Sequence, residues 1–127
     1  MTIDITETFY PKKRSEWRQW LTKNHDKKKE IWVIFYKKHT KKPTVVYQDA
    51  VDEALCFGWI DGMEKRLDEE RYVLRFTPRV KRSNWSATNV NRFKALQKAG
   101  LVFPAGTAAF VAKKHVYTSF SNKKGAG

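Results

Sequence analysis

The sequence predicts an α+β domain: a small antiparallel three-stranded sheet, over about residues 31–37, 59–66 and 71–77, packed by four helices over about residues 15–24, 47–57, 86–99 and 104–114. Three observations predict it. The run IWVIFY is apolar on both of its alternating faces, as a central strand covered from two sides would be. The stretch WIDGMEKRLDEERYVLRFTPR holds two strand-like segments around a short acidic turn, which reads as a hairpin. Before, between and after these stretches, apolar residues recur at the three- and four-residue spacing of helices.

Each element follows from its own residues. Ser15 is the expected N-cap of the first helix, Glu16 suits the positive dipole end of its first turn, and Trp17, Trp20 and Leu21 share one face. The charged linker HDKKKE leads into the first strand, where Ile31, Val33 and Phe35 point one way and Trp32, Ile34 and Tyr36 the other. A basic loop over residues 37–43 precedes the second helix, which carries Tyr47, Ala50, Val51, Ala54 and Leu55 on one side. Gly58 stands where that helix needs a left-handed cap, a conformation glycine adopts without a Cβ penalty. Trp59 then opens the second strand, residues 68–70 turn the chain, and Tyr72, Leu74 and Phe76 line one face of the third. Pro78 ends the hairpin. Ser86 is the expected N-cap of a third helix carrying Val90, Phe93 and Leu96 and stopping at Gly100, and Pro104 suits the first turn of the last. The order of the strands stays open. The domain is expected over 1–117, with 118–127 a mobile tail too poor in apolar surface to hold itself down.

Composition bounds the class of protein. With 127 residues, 41% hydrophobic and 14% aromatic, the chain fits one globular domain, although its mean hydropathy is -0.68. A single cysteine cannot form an internal disulfide, and with His25, His39 and His115 scattered it offers no zinc-ligand spacing. A reducing cytoplasm is the natural setting. The longest apolar run is too short for a membrane span, and the N-terminus MTIDITETFYPKKR reverses the basic-then-apolar order of a signal peptide.

The strongest global fact is charge: 26 Lys and Arg against 13 Asp and Glu, a net +13 with a pI near 10.0. Such an excess favours anionic partners, whether nucleic acid, acidic lipid or acidic protein, without making any of them specific. The plainer alternative is a solvated lysine-rich surface, since the cations come in dispersed clusters.

Three constellations carry candidate chemistry. Cys56 lies in the last turn of a helix, where the negative dipole end disfavours a thiolate, and no histidine stands near it in sequence. It reads as a structural, partly buried cysteine. Asp61, between Ile60 and Gly62, needs a partner if buried, and Arg75 or Arg79 on the paired strand is expected to supply it. That makes Asp61 first a structural ion pair and only second an acid or base. The third constellation is TPRVKRSNWSATN, in which Arg79, Lys81 and Arg82 precede a helix start at Ser86, where free backbone N–H groups favour an anion. Trp85 offers a face for stacking, and Ser83, Asn84 and Asn89 offer hydrogen bonds. Against this stands the reading of Trp85 as core and the cations as solvated. There is no GxxxxGK, GxGxxG, HExxH or GxSxG, so nucleotide-dependent and metallohydrolase chemistry find no support and no cofactor or metal is expected.

The segments EWRQWLTKNH, EIWVIFYKK, VVYQDAVDEALCFGWIDG, LDEERYVLRFTPRVKRSNWSATN and LQKAGLVFPAG, in that order over about residues 16–106, resemble the YdeI/OmpD-associated family of small bacterial proteins, also labelled bacteriocin-protection proteins. The resemblance implies a cytoplasmic protein tied to envelope stress and tolerance of antimicrobial peptides, and brings no reaction, cofactor or catalytic residue with it. It also implies a further basic helical segment after PAG, which is not expected in the stretch ending SFSNKKGAG. The family pattern falls on Phe57, Gly58, Trp59, Asp61, Gly62, Arg79, Ser83, Trp85, Ser86 and Asn89, consistent with one pocket joining the helix-to-strand junction and the basic loop. The sequence therefore predicts a non-catalytic module that binds an anionic ligand or protein partner through Arg79, Lys81, Arg82, Ser83, Trp85, Ser86 and Asn89, with Trp59, Asp61 and Arg75 beside them. Two rivals are a nucleic-acid-binding domain using the 79–86 loop and a small enzyme using Asp61 with Arg79.

Overall fold

The chain is described by a computed structural model that covers residues 4–118; the tail expected over 118–127 lies outside the described residues from 119 onward. Its elements run β1 (Thr8–Phe9), α1 (Arg14–Asn24), β2 (Ile31–Tyr36), α2 (Tyr47–Cys56), β3 (Trp59–Arg66), β4 (Arg71–Pro78), β5 (Asn84–Ser86), α3 (Ala87–Lys98), α4 (Pro104–Val111) and β6 (His115–Tyr117), with a 3-10 turn at Lys38–Thr40.

The three-stranded antiparallel sheet expected from the sequence is corrected in two ways. The main sheet has four strands in the order β1-β2-β4-β3 and is mixed, because β1 runs parallel to β2 while β2–β4 and β4–β3 are antiparallel. A second, two-stranded sheet pairs β5 with β6 in parallel. The added strands are two or three residues long, too short for an alternating pattern to show in sequence. The last helix also stops earlier than expected. Beyond Val111 the backbone leaves the helix, Lys114 N–H donates to the carbonyl of Ser83 at 2.9 Å, and the chain enters β6. The first helix has Lys13 at its N-cap rather than Ser15, with no side-chain cap bond.

All four helices cover one face of the main sheet. Trp17 and Leu21 of α1, Ala50, Ala54 and Leu55 of α2 and Phe93 of α3 pack with Ile31, Val33, Phe35, Leu74 and Phe76 in one core, against which Phe110 of α4 is laid. Trp32 and Val73, which alternate with these positions, are buried on the opposite face, so the double apolar pattern of IWVIFY has a physical cause. No helix among the described residues is long and apolar enough to cross a membrane.

Candidate anion-binding site

Glycine positions the site. Helix α2 ends at Cys56, and Gly58 turns the chain at φ +77°, the left-handed conformation expected of it. A Cβ on Gly58 would stand 2.8 Å from the carbonyl oxygen of Ala105, and one on Gly106 would stand 2.3 Å from that of Cys56. Helix α4 therefore lies directly on the α2–β3 junction, backbone against backbone. The carbonyl of Gly58 in turn accepts the N–H of Arg79 at 2.8 Å, which ties the junction to the loop that follows β4. Cys56 is buried in this contact, and burial, reinforced by the charge of Glu53, pushes its thiol up to about 11. Such a thiol is not a nucleophile at neutral pH.

Asp61 does not make the arginine ion pair expected of it. It is half-buried and accepts a hydrogen bond from the Tyr47 hydroxyl at 3.0 Å, and no Arg or Lys nitrogen among the described residues lies within salt-bridge distance of it. The register gives the reason. Asp61 sits opposite Phe76, so the alternation of β4 turns Arg75 to the other face, where it pairs with Glu30 at 2.5 Å. Tyr47 is pushed up to about 12, by burial first and then by the charge of Asp61. Trp59 is buried and donates its indole N–H to the carbonyl of His25 at 3.3 Å.

Arg79 is the centre of the arrangement. Its guanidinium lies 4.2 Å from the ring centre of Trp85, Nε reaches Ser83 Oγ at 3.3 Å, and Nη2 donates to the carbonyl of Asn84 at 3.0 Å. Nη1 is shut off from solvent and has no acceptor among the described residues. Burial lowers the pKa of Arg79, while the Tyr117 hydroxyl and Asp61 act against that shift. Asp61 and Arg79 are thus within each other's field without touching. Trp85 is wholly buried, with Phe93 and Phe110 edge-on to it and Arg79 over its face, so no ring face is left for a nucleic-acid base. Ser86 caps α3 as expected, accepting the N–H of Asn89 at 3.0 Å. That bond uses a donor the helix start would otherwise present to an outside anion.

The pairing of β5 with β6 does what sequence reasoning missed: it brings Lys113, Lys114 and His115 beside the basic loop. Lys113 is committed to Phe110, with its ammonium 3.6 Å from the ring centre and bonded to the backbone carbonyl at 3.2 Å. Arg79, Lys81, Arg82 and Lys114 have no carboxylate partner among the described residues, whereas Arg14, Arg18, Arg71, Arg75 and Arg92 each have one. A signal for this was present in the sequence. All 13 acidic residues precede Arg71, so +12 of the net +13 falls within residues 71–127.

Between the loop and α4 lies a hollow of about 240 Å³, walled by Gly58, Pro78, Val80 and four alanines of the helix side and rimmed by Arg79 and Lys81. Asp61 is not among its walls. Two larger hollows, of about 400 and 410 Å³, lie beside Trp20 and beside Arg92; the second has its arginine already neutralised by Asp52 at 2.7 Å. The residues described contain no group of three His, Cys, Asp or Glu able to hold a metal ion. Sequence reasoning also missed Glu53, which is 2% exposed and held by Arg14 at 2.5 Å and Arg18 at 2.6 Å. Arg18 further donates to the carbonyl of Leu101 at 2.7 Å, so this network fastens α1 to α2 and to the segment between α3 and α4 rather than forming a site.

The family model described as Domain of unknown function (DUF8412) matches residues 9–109, a span that holds the junction and the basic loop but not Phe110, Ala112, Lys113, Lys114 or the β6 strand. No curated protein and no solved structure matches the chain.

Proposed function

The chain belongs to the DUF8412 family of domains of unknown function, and from that premise and the geometry we propose that it is a non-catalytic module that binds an anionic partner through Arg79, Lys81, Arg82 and Lys114. One observation carries the reading: the excess charge falls within residues 71–127, and the fold gathers four cations without a carboxylate partner among the described residues, Arg79, Lys81, Arg82 and Lys114, from two separate stretches onto one end. A positive patch of this kind attracts polyanions and releases their counterions on binding. A catalytic alternative lacks its parts, since the Cys56 thiol is pushed up to about 11 and Asp61 is bonded to Tyr47 away from the hollow. The setting we attach to this module, a bacterial cytoplasm under envelope or antimicrobial stress, rests on the resemblance to YdeI/OmpD-associated proteins.

The test is fluorescence anisotropy of a labelled heparin oligosaccharide and of labelled single- and double-stranded DNA and RNA, titrated with protein across a NaCl series. Binding is expected to weaken steeply with salt, to be indifferent to base sequence, and to lose about two units of salt slope in the double variant Lys81→Ala/Arg82→Ala. Affinity and slope unchanged by that double variant would refute the site. Discrimination between base sequences would instead favour a nucleic-acid reader over a general anion module.

A further inference from the structure

The basic end carries a second property that a soluble polyanion does not use. Among the described residues seven large apolar side chains stand exposed, and four of them belong to this end: Val80 at 76%, Val111 at 74%, and Val116 and Tyr117 at 41% each. Scattered exposed apolar residues are ordinary, but a group of them set among cations is not. The fold brings them together. Val80 shares the walls of the 240 Å³ hollow with Ala108 and Ala112, so it lies beside the last turn of α4; Val111, next to Ala112 in the chain, is exposed at the end of that turn outside the hollow. Val116 and Tyr117 lie on β6, in register with Trp85 and Ser86. Lys81, Arg82 and Lys114, all exposed, alternate with these residues along the chain.

We propose that this end docks on an anionic lipid bilayer, with Val80 and Val111 entering the boundary between headgroups and acyl chains while Lys81, Arg82 and Lys114 engage lipid phosphates. The inference rests on the anion-binding reading and names its partner. Charge complementarity selects an anionic surface, and the valines select among anionic surfaces. A phosphodiester chain offers an aliphatic side chain no water-free environment, whereas a bilayer interface rewards apolar insertion and basic charge together. Valines this exposed are knobs, and a fluid interface accepts knobs without needing a matching pocket.

The experiment is cosedimentation of the full chain with large vesicles of phosphatidylcholine alone and of phosphatidylcholine with phosphatidylglycerol in equal parts, at 100 mM NaCl, with heparin binding measured in parallel. Four proteins are compared: wild type, Val80→Asn/Val111→Asn, Lys81→Ala/Arg82→Ala, and Val46→Asn as an exposed valine elsewhere. Thermal melts establish that each is folded. Wild type is expected to bind the mixed vesicles and not phosphatidylcholine alone. The valine pair is expected to lose at least tenfold in vesicle affinity while keeping heparin binding, the cation pair to lose both, and Val46→Asn to lose neither. Heparin binding without vesicle binding overturns the bilayer and leaves the anion reading standing. Vesicle binding unaffected by Val80→Asn/Val111→Asn overturns the insertion. Loss of both ligands in the wild type removes both readings.

Discussion

Gly58 and Gly106 hold their places for different reasons. Gly58 combines a left-handed φ of +77° with an approach of 2.8 Å to a neighbouring backbone oxygen, while Gly106 has only the approach, at 2.3 Å. Replacing Gly58 by Ala adds a conformational penalty of about 1–2 kcal/mol to an overpacking cost of about 1–3 kcal/mol. Gly106→Ala meets backbone that cannot give way, and is expected to cost at least as much and to lift α4 from the junction; urea melts of both variants measure it. Cys56, buried below that helix, is expected to resist alkylation by iodoacetamide at pH 8 in the folded protein, and to react at once in denaturant, because its thiol titrates near 11. Rapid alkylation of native protein would contradict the packing described. Glu53→Gln leaves Arg14 and Arg18 without their shared carboxylate, and since both arginines are partly exposed, the loss should fall below the 3–5 kcal/mol of a fully buried pair, at about 2 kcal/mol. At this scale the sequence was legible where the backbone dictates the residue, as at Gly58 and Ser86. It was not legible where a side chain's partner comes from a distant element: nothing local to Asp61 indicates Tyr47, and nothing local to Glu53 indicates two arginines more than 30 positions earlier.

Elements were readable in proportion to their length. Helices α1 to α3 and strands β2 to β4 span 6 to 12 residues and display their periods. Strands β1, β5 and β6 span 2 or 3, exist only through their partners, and were missed together with the mixed sheet they create. Ser86 shows how one residue joins two elements: it ends β5 and caps α3 through Asn89 N–H. Removing the hydroxyl with Ser86→Ala leaves the half-buried Asn89 N–H without its acceptor and is expected to cost about 1 kcal/mol, a fall of roughly 3–5 °C in Tm for a chain of this size. Differential scanning calorimetry decides it, and a Tm unchanged within error would mean that β5–β6 pairing, not the cap, holds the start of α3.

Net charge belongs to the whole molecule, and its effect on binding is either general or local. The fold separates the two. Strand β4 has eight residues, so at about 3.3 Å per residue its ends lie roughly 26 Å apart. The lysine loop after β2 stands at the Arg71 end, where Lys37 N–H bonds the carbonyl of Glu70 at 2.8 Å, and the proposed site stands at the Pro78 end. That separation is about three Debye lengths at physiological salt, roughly 8 Å each. Two triple variants, Lys37→Glu/Lys38→Glu/Lys41→Glu and Lys81→Glu/Arg82→Glu/Lys114→Glu, each exchange three cations for three anions and each take the formal +13 to +7. If binding follows net charge alone, heparin titrations at 0.15 M NaCl will find them equally weakened. The confinement of +12 to residues 71–127 argues otherwise: the first variant should stay within about twofold of wild type, and the second should lose about three units of salt slope. The sequence displayed both the total and its asymmetry along the chain but not its place in space, because counting charge along the chain becomes geometry only when β5 and β6 fold two distant basic stretches onto one end.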